Sequence, residues 1–479
     1  MTTNTQPPYI AIIGGGPAGL TAAYQLIQAG YSPIVFEQSD KVGGISRTEY
    51  YNGYRLDIGG HRFYTQVAEV EKLWHEIMGD DFEKVQRLSR IYYRGKYFKY
   101  PLEFFDALKQ VGMIESVQIL ISYLYAQILP NPIEETFEQW VSNRFGKRLF
   151  NLFFKSYTEK VWGIPTHKIS ADWAAQRIKD LSIKTILLNT IRNNGDIRTL
   201  INQFYYPRLG PGMMWERFQD YIINAGGEVR LNTSVERILH DKNGVKAIIT
   251  SDGQEIAVEH VISTMPLRNL IRAIDPVVPD DVQKAANKLK YRDFLIVGLI
   301  INQEDLFPDN WIYIHSPEVR VGRIQNFKNW SDDMLPDLSK SSIGMEYFCN
   351  IGDDLWEMTD HDLIELAGRE IQHLNLAKQA DVVDGFVVRQ PKAYPVYDEH
   401  YQDALDVISQ YLKTIPNLQT VGRNGMHRYN NQDHSMLTAM LAVQNYLGAN
   451  HDLWAVNTER SYYEEFIVDS DSKQSVHVD

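Results

Sequence analysis

The sequence predicts an α/β protein whose main domain is discontinuous, on three observations. A short apolar run, Tyr9–Ile13, passes straight into Gly14-Gly15-Gly16-Pro17-Ala18-Gly19 and then into a helical pattern. Alternating strand-like segments return after residue 200, and a glycine-punctuated segment at 420–447 leads into a last amphipathic helix. Between these pieces the periodicity changes, first to long helices and later to a second group of strands.

The N-terminal element is the most informative. Residues Tyr9–Ile13 read as a buried strand, 20–29 as a helix and 32–37 as the next strand, which together make one βαβ unit. The glycines have the GxGxxG spacing, and Glu37 lies eighteen residues beyond the last of them. Gly14 permits a tight turn, Gly16 lets the backbone approach a pyrophosphate, and Gly19 lets helix and strand pack closely. The helix start offers free N–H groups and partial positive charge to phosphates, and Glu37 offers a carboxylate to the hydroxyls of a ribose. A Rossmann-type dinucleotide site is therefore expected. A second GxGxxG in strand context is absent from the sequence, so no separate nicotinamide-nucleotide domain is expected.

The remaining elements follow in order. Residues 101–199 read as a mostly helical insertion, within which 113–129 is the most apolar stretch. At seventeen residues carrying Glu115, Gln118 and Gln127 it is short for a membrane span and reads as a buried or interfacial helix. Strands are expected at 228–231, 244–250, 255–258 and 260–263, with Asp252-Gly253 as a turn. A mixed-sheet substrate domain is expected over 276–384, with strands in FLIVGLIIN, WIYIH and SIGMEYFCN and a helix near 361–374. The dinucleotide domain is then assembled from 1–100, 200–275 and 385–460, followed by a tail at 461–479.

Bulk chemistry narrows the function classes. The 479 residues carry a formal charge of -13, which argues against a general nucleic-acid surface. The single cysteine, Cys349, excludes an internal disulfide and, without a Cys/His cluster, a structural zinc site. No metal is expected, and a reducing cytoplasm suits the composition. The N-terminus lacks the basic-then-apolar pattern of a signal peptide.

Lys41-Val42-Gly43-Gly44-Ile45-Ser46-Arg47-Thr48 has the glycine pair and basic residue of flavoproteins related to amine oxidases and GDP-dissociation inhibitors, and this resemblance implies FAD. In the same resemblance the backbone at Val235 contacts adenine, and Gly44, Arg47 and Gly60 belong to the cofactor site. More specifically, the chain resembles the UDP-galactopyranose mutases, most of all their eukaryotic branch. The anchors are Asp57-Ile58-Gly59-Gly60-His61, Tyr100-Pro101, the segment from Tyr157 to Trp162, the segment from Trp173 to Arg177, Arg323 with Asn329, Tyr394-Pro395, and the block from Gly422 to Ser435.

That resemblance implies an isomerisation in which reduced flavin N5 attacks the anomeric carbon of a UDP-sugar and displaces UDP. It makes His61, Arg177 and Arg323 the catalytic set, the arginines pairing with the diphosphate. Tyr394, Tyr429 and Asn431 become phosphate or sugar contacts, and Tyr100, Trp162 and Tyr313 grip the nucleoside. Arg423, Gln432, Asp433 and Ser435 fall beside the cofactor. Thr158 and Glu103 stand where the resemblance places an asparagine and a glutamine, so the base-reading set departs while the phosphate set is kept. The implied partners are a nucleotide sugar, NADPH or NADH as reductant and, in a homo-oligomer, further copies of the chain. Two alternatives stay open: an oxidoreductase of amine-oxidase or protoporphyrinogen-oxidase type, and a flavin-free carrier like the GDP-dissociation inhibitors.

Overall fold

The computed structural model describes residues 9–100, 102, 104–171 and 203–457. Tyr9–Ile13 sits at the centre of a parallel sheet, flanked by Ile34–Phe36 on one side and Glu255–Ser263 on the other. Glu228–Arg230 extends the sheet beyond Ile34–Phe36, and Leu418–Thr420 extends it beyond Glu255–Ser263. A parallel strand with both faces covered must be apolar throughout, as Tyr9–Ile13 is. Its side chains alternate accordingly. Ile10 and Ile12 face the helices Pro17–Gln28, Gly212–Asn224 and Gln432–Tyr446. Ala11 and Ile13 face Leu267–Ala273, Asp280–Lys288 and Tyr401–Leu412.

The segments 255–258 and 260–263 form one strand, Glu255–Ser263, rather than two. Its first residues pair antiparallel with Gly244–Thr250, which in turn pairs with Val235–Asp241, while residues from Val258 onward pair in parallel with Tyr9–Ile13. The change of partner, not a break in the backbone, produces the irregular pattern near Glu259.

The second sheet has seven strands in the order Val382–Pro395, Tyr291–Ile301, Ser341–Cys349, Arg323–Asn326, Trp311–Ile314, Ser89–Tyr93 and Lys96–Lys99. All neighbours are antiparallel except Ser89–Tyr93 with Trp311–Ile314. Ser89–Tyr93 and Lys96–Lys99 lie outside residues 276–384 and Val382–Pro395 runs past its end, so the sheet joins segments far apart in the chain. Leu295, Val297 and Leu299 pack under helix Asp360–His373, while Phe294, Ile296 and Ile300 face the other way. That second face, together with the helical segment, bounds the candidate site.

In the helical segment, Phe137–Phe145 opens with a capping box between Thr136 and Gln139. Met113–Ile128 forms a helix as expected, but among its residues only Ile119 and Tyr123 are buried. It packs on one side, where Gly146 lies against the backbone of Ser122 and Tyr123, and among the described residues no face covers its exposed apolar side chains. Among the described residues no helix is long and apolar enough to cross a membrane.

Candidate active site

The glycine turn behaves as its spacing requires. Gly14 has φ +103°, and a Cβ there would lie 2.0 Å from Thr264 Oγ1. A Cβ on Gly19 would lie 1.8 Å from the Gly14 carbonyl oxygen, so this position admits only glycine without moving the helix. Gly16 is different. Its nearest neighbour would be the Gly44 backbone at 3.8 Å, which leaves an open approach to the helix start. Gly43 N–H donates to the Gly15 carbonyl at 2.8 Å, bringing the second glycine pair against the first.

Glu37 ends the second parallel strand, where it accepts from Gly15 N–H at 2.7 Å, from Ser39 N–H at 2.9 Å and from Ser39 Oγ at 2.7 Å. Those donors fix its carboxylate beside the turn. Arg47 is anchored by Glu49 at 2.6 Å and donates to the Gly44 carbonyl and to Gln390, both at 3.0 Å. Val235 is buried at the start of Val235–Asp241 in the same apolar cluster as Phe36.

A second helix start lies at Gln432–Tyr446, which packs along Pro17–Gln28. Asn431 precedes it without capping it through its side chain, and the helix start carries partial positive charge toward the cradle. Gln432 Oε1 is buried without a partner among the described residues, and Ser435 and Asp433 are buried in the same turn. Two helix starts on packed helices, an open Gly16 and an anchored carboxylate fit a dinucleotide bridged by a pyrophosphate.

A cleft beside this cradle brings the remaining candidates together. Gly59, Gly60, His61, Tyr313, Arg323, Tyr394, Arg423, Tyr429, Asn431, Gln432 and Asp433 all line it. Gly59 has φ +90°, and the turn it permits lets the loop lie against Arg323, whose Nη2 would be 3.4 Å from a Cβ at Gly59. His61 Nδ1 lies 3.1 Å from the Gly59 carbonyl, an acceptor only, so Nδ1 carries the proton and Nε2 the lone pair. Burial, aided by Arg423 and Arg323, lowers the His61 pKa to about 3, so its imidazole is neutral at neutral pH.

Arg323 is held from below. Its Nε donates to Glu346 Oε2 at 2.7 Å and its Nη2 reaches the same oxygen at 2.6 Å, while Gln325 Nε2 donates to Glu346 Oε1 at 2.7 Å. Glu346 is fully buried, which leaves its charge matched by one guanidinium and one amide. Tyr394 and Tyr429 stack with centroids 5.6 Å apart, and Arg423 lies over both rings at 5.8 and 4.6 Å. Arg423 Nε donates to the Asn430 carbonyl at 2.8 Å. Burial raises the Tyr394 phenol, with Tyr429 adding to the effect, so the hydroxyl stays protonated and available as a donor.

Tyr100 and Tyr313 meet at 4.4 Å, placing Tyr100 behind the cleft wall. Trp162 does not line the cleft. It is buried between Tyr397, with which it stacks at 6.3 Å, and the edge of Tyr394 at 6.5 Å, so its indole supports Tyr394. Arg177 and Glu103 lie outside the described residues.

Sequence reasoning missed Glu346, Gln325 and the wall tryptophans Trp311 and Trp330. A signal for Glu346 existed: it is the single charged residue in the wholly buried strand Ser341–Cys349. Trp311 and Trp330 carried no such signal, because a tryptophan in an apolar context reads as core. Among the described residues no group of three or more His, Cys, Asp or Glu side chains is placed to hold a metal ion.

An α/β core with a glycine-turn cradle and an adjoining arginine-lined cleft defines an FAD-binding flavoenzyme of the amine-oxidase superfamily. Residues 17–398 match the family of flavin-containing amine oxidoreductases, and the chain belongs to that family. Among curated relatives, it is 27% identical over 265 residues to 1-hydroxycarotenoid 3,4-desaturase of Flavobacterium sp. (strain P99-3), which covers 50% of this chain and 53% of that protein. It is 24% identical over 281 residues to flavin-containing amine oxidase B of Sus scrofa, covering 54% and 50%. The chain thus spans about half the length of these two relatives. Among solved structures, reduced UDP-galactopyranose mutase is similar with a TM-score of 0.83 at 23% identity, covering 95% of this chain and 97% of that one. A putative protoporphyrinogen oxidase from Exiguobacterium sp. 255-15 follows with 0.72 at 16% identity, covering 92% and 99%. At these identities the two structures share the fold.

Proposed function

We propose that the protein is an FAD-dependent mutase that interconverts pyranose and furanose forms of a nucleotide-activated sugar of UDP-galactose type. One observation carries this reading: Arg323, Arg423 and the stacked pair Tyr394 and Tyr429 converge on the cleft walled by the Gly59-Gly60-His61 loop. A flavin held at Gly16, Glu37 and the Gln432 helix start would, when reduced, supply the nucleophile for the anomeric carbon. The chain supplies the rest. Glu346 occupies Nε and Nη2 of Arg323 and so orients the guanidinium, leaving Nη1 for a diphosphate oxygen. The phenols of Tyr394 and Tyr429 donate to the same leaving group, with Asn431 as a further contact. His61, being neutral, adds no charge beside the reacting carbon and offers its Nε2 lone pair to a sugar hydroxyl. Arg177 is proposed as a second diphosphate ligand on resemblance alone. Tyr313, backed by Tyr100, stacks on the nucleoside.

NADPH or NADH is proposed as the reductant of a bound flavin. The proposed setting is the cytoplasm, as the lone, buried Cys349 suits. Incubation of the dithionite-reduced protein with UDP-galactofuranose, followed by chromatography, tests the activity. The pyranose product is expected, and no ring interconversion with any nucleotide sugar would refute it. A second reading, an FAD oxidoreductase, is favoured by the curated relatives, which are named as oxidases and desaturases. Anaerobic bleaching of the flavin by an amine, without a sugar nucleotide, would establish that reading instead.

A further inference from the structure

The helix Met113–Ile128 turns apolar side chains to solvent along its whole length. Met113 is 83% exposed, Ile121 62%, Leu124 57% and Ile128 74%, and Val117 completes the row. Successive members are three or four residues apart, so they form one stripe on one face. At sixteen residues the helix is about 24 Å long at 1.5 Å per residue. Leu129 and Ile133 continue the exposed row past its end. The opposite face is also apolar and packs inward through Ile119 and Tyr123. Soluble proteins rarely leave so long a contiguous apolar row in water.

The charge around the stripe points to its occupant. Residues 84–168 hold thirteen Lys and Arg against seven Asp and Glu, in a chain whose formal charge is -13. Arg94, Lys96 and Lys99 are exposed on the hairpin that packs against helix Phe104–Val111, which carries Lys109 and precedes the stripe. Lys147 and Arg148, exposed on the turn against which the middle of the helix rests, are paired with Glu138 and Glu115, so the positive excess beside the stripe is that of the hairpin and Lys109. The carboxylates beside the stripe are largely matched: Glu115 by Arg148, Glu134 by Arg144 and Glu138 by Lys147, leaving Glu135 at the far end and Asp106 on the helix that carries Lys109.

We propose that Met113–Ile128 is a monotopic docking surface for an anionic lipid bilayer, lying in the plane of the interface with its solvent-facing row in the acyl boundary and its flanking cations at the headgroups. Lys99 and Tyr100 join the hairpin to the insertion, so docking sets the Tyr100 and Tyr313 end of the cleft near the membrane surface.

The test is co-sedimentation of the full-length, FAD-loaded protein with phosphatidylcholine vesicles, with or without phosphatidylglycerol. Wild type is expected in the pellet with anionic vesicles, in the supernatant with neutral ones, and released by high salt. The variant I121D/L124D/I128D alters only exposed positions. It is expected to stay in the supernatant while keeping its flavin spectrum. Neutralising Lys109 by K109Q should weaken anionic-vesicle binding about fivefold. Wild type remaining in the supernatant with anionic vesicles overturns the proposal. A dimer by light scattering that I121D/L124D/I128D abolishes, without vesicle binding by wild type, overturns it in favour of a second copy of the chain.

Discussion

Replacing Arg323 by Met separates what the arginine does for the fold from what it does for a ligand. Glu346 is fully buried, and its Oε2 takes both Arg323 Nε at 2.7 Å and Nη2 at 2.6 Å. Removing the guanidinium strands a carboxylate that retains only Gln325, and breaking a buried ion pair on one side costs about 3 to 5 kcal/mol. Arg323→Met should therefore melt well below wild type. The pair Arg323→Met with Glu346→Met removes both charges and should recover most of that loss. Ligand affinity should not recover. A charge-assisted hydrogen bond to an oxyanion is worth about 1.5 to 3 kcal/mol, so UDP should bind roughly 10- to 100-fold more weakly to both variants. Thermal melts report the first quantity and calorimetric titration of the reduced protein with UDP the second. If the double variant binds UDP as wild type does, Arg323 is a structural residue and the diphosphate assignment is wrong.

Three further outcomes follow from the same physics. Gly19→Ala places a Cβ 1.8 Å from the Gly14 carbonyl, so the helix start must retreat, and FAD titration of the apoprotein should show about ten- to hundredfold weaker binding. Lys160→Met strands the carbonyls of Ile314, Ser316 and Val321, which Lys160 Nζ now reaches at 3.2, 3.0 and 2.9 Å; thermal melts should show a loss of about 3 to 5 kcal/mol, and titration a weaker hold on ligands stacked at Tyr313. Acid should destabilise the protein through its desolvated histidines, whose pKa is lowered to about 3 for the half-buried His61 and the buried His315 and to about 4 for the buried His260 and His427. Their depressed values contribute stability that is complete above the unfolded value of 6.5 and falls away toward the folded ones, by about 2 kcal/mol each at pH 5. Asp57 opposes them, because burial raises it to about 7 and its protonation returns about 2 kcal/mol over the same range. Urea unfolding at pH 7 and pH 5 should therefore show a net loss of roughly 5 kcal/mol, and equal midpoints would contradict it.

The local parts of this fold are legible in the residues because their causes are local. Gly14 is required by its own positive φ and Gly19 by the Gly14 carbonyl beside it, and the apolar run at Tyr9–Ile13 needs only two covered faces. The mixed sheet is less legible. Ser89–Tyr93 pairs in parallel with Trp311–Ile314 more than two hundred residues away, and nothing in either short segment encodes the other. Within the cleft, Arg323 and Arg423 were found by motif, whereas their supports were not. Glu346 announced itself only as a charge inside an apolar strand, and Trp162 matched a ligand position by sequence yet packs against Tyr397 and Tyr394. Met113–Ile128 shows the limit most clearly: an apolar composition suggests burial, but burial depends on how many faces the rest of the chain supplies.

The most direct measurement is the flavin content of the purified chain and of the same chain stripped and titrated with FAD. The cradle at Gly16, Glu37 and the Gln432 helix start predicts one tightly held FAD per chain, with binding lost in Gly14→Val, where a side chain would run into Thr264. A colourless protein that takes up no added FAD, or one whose FAD binding is indifferent to Gly14→Val, contradicts it.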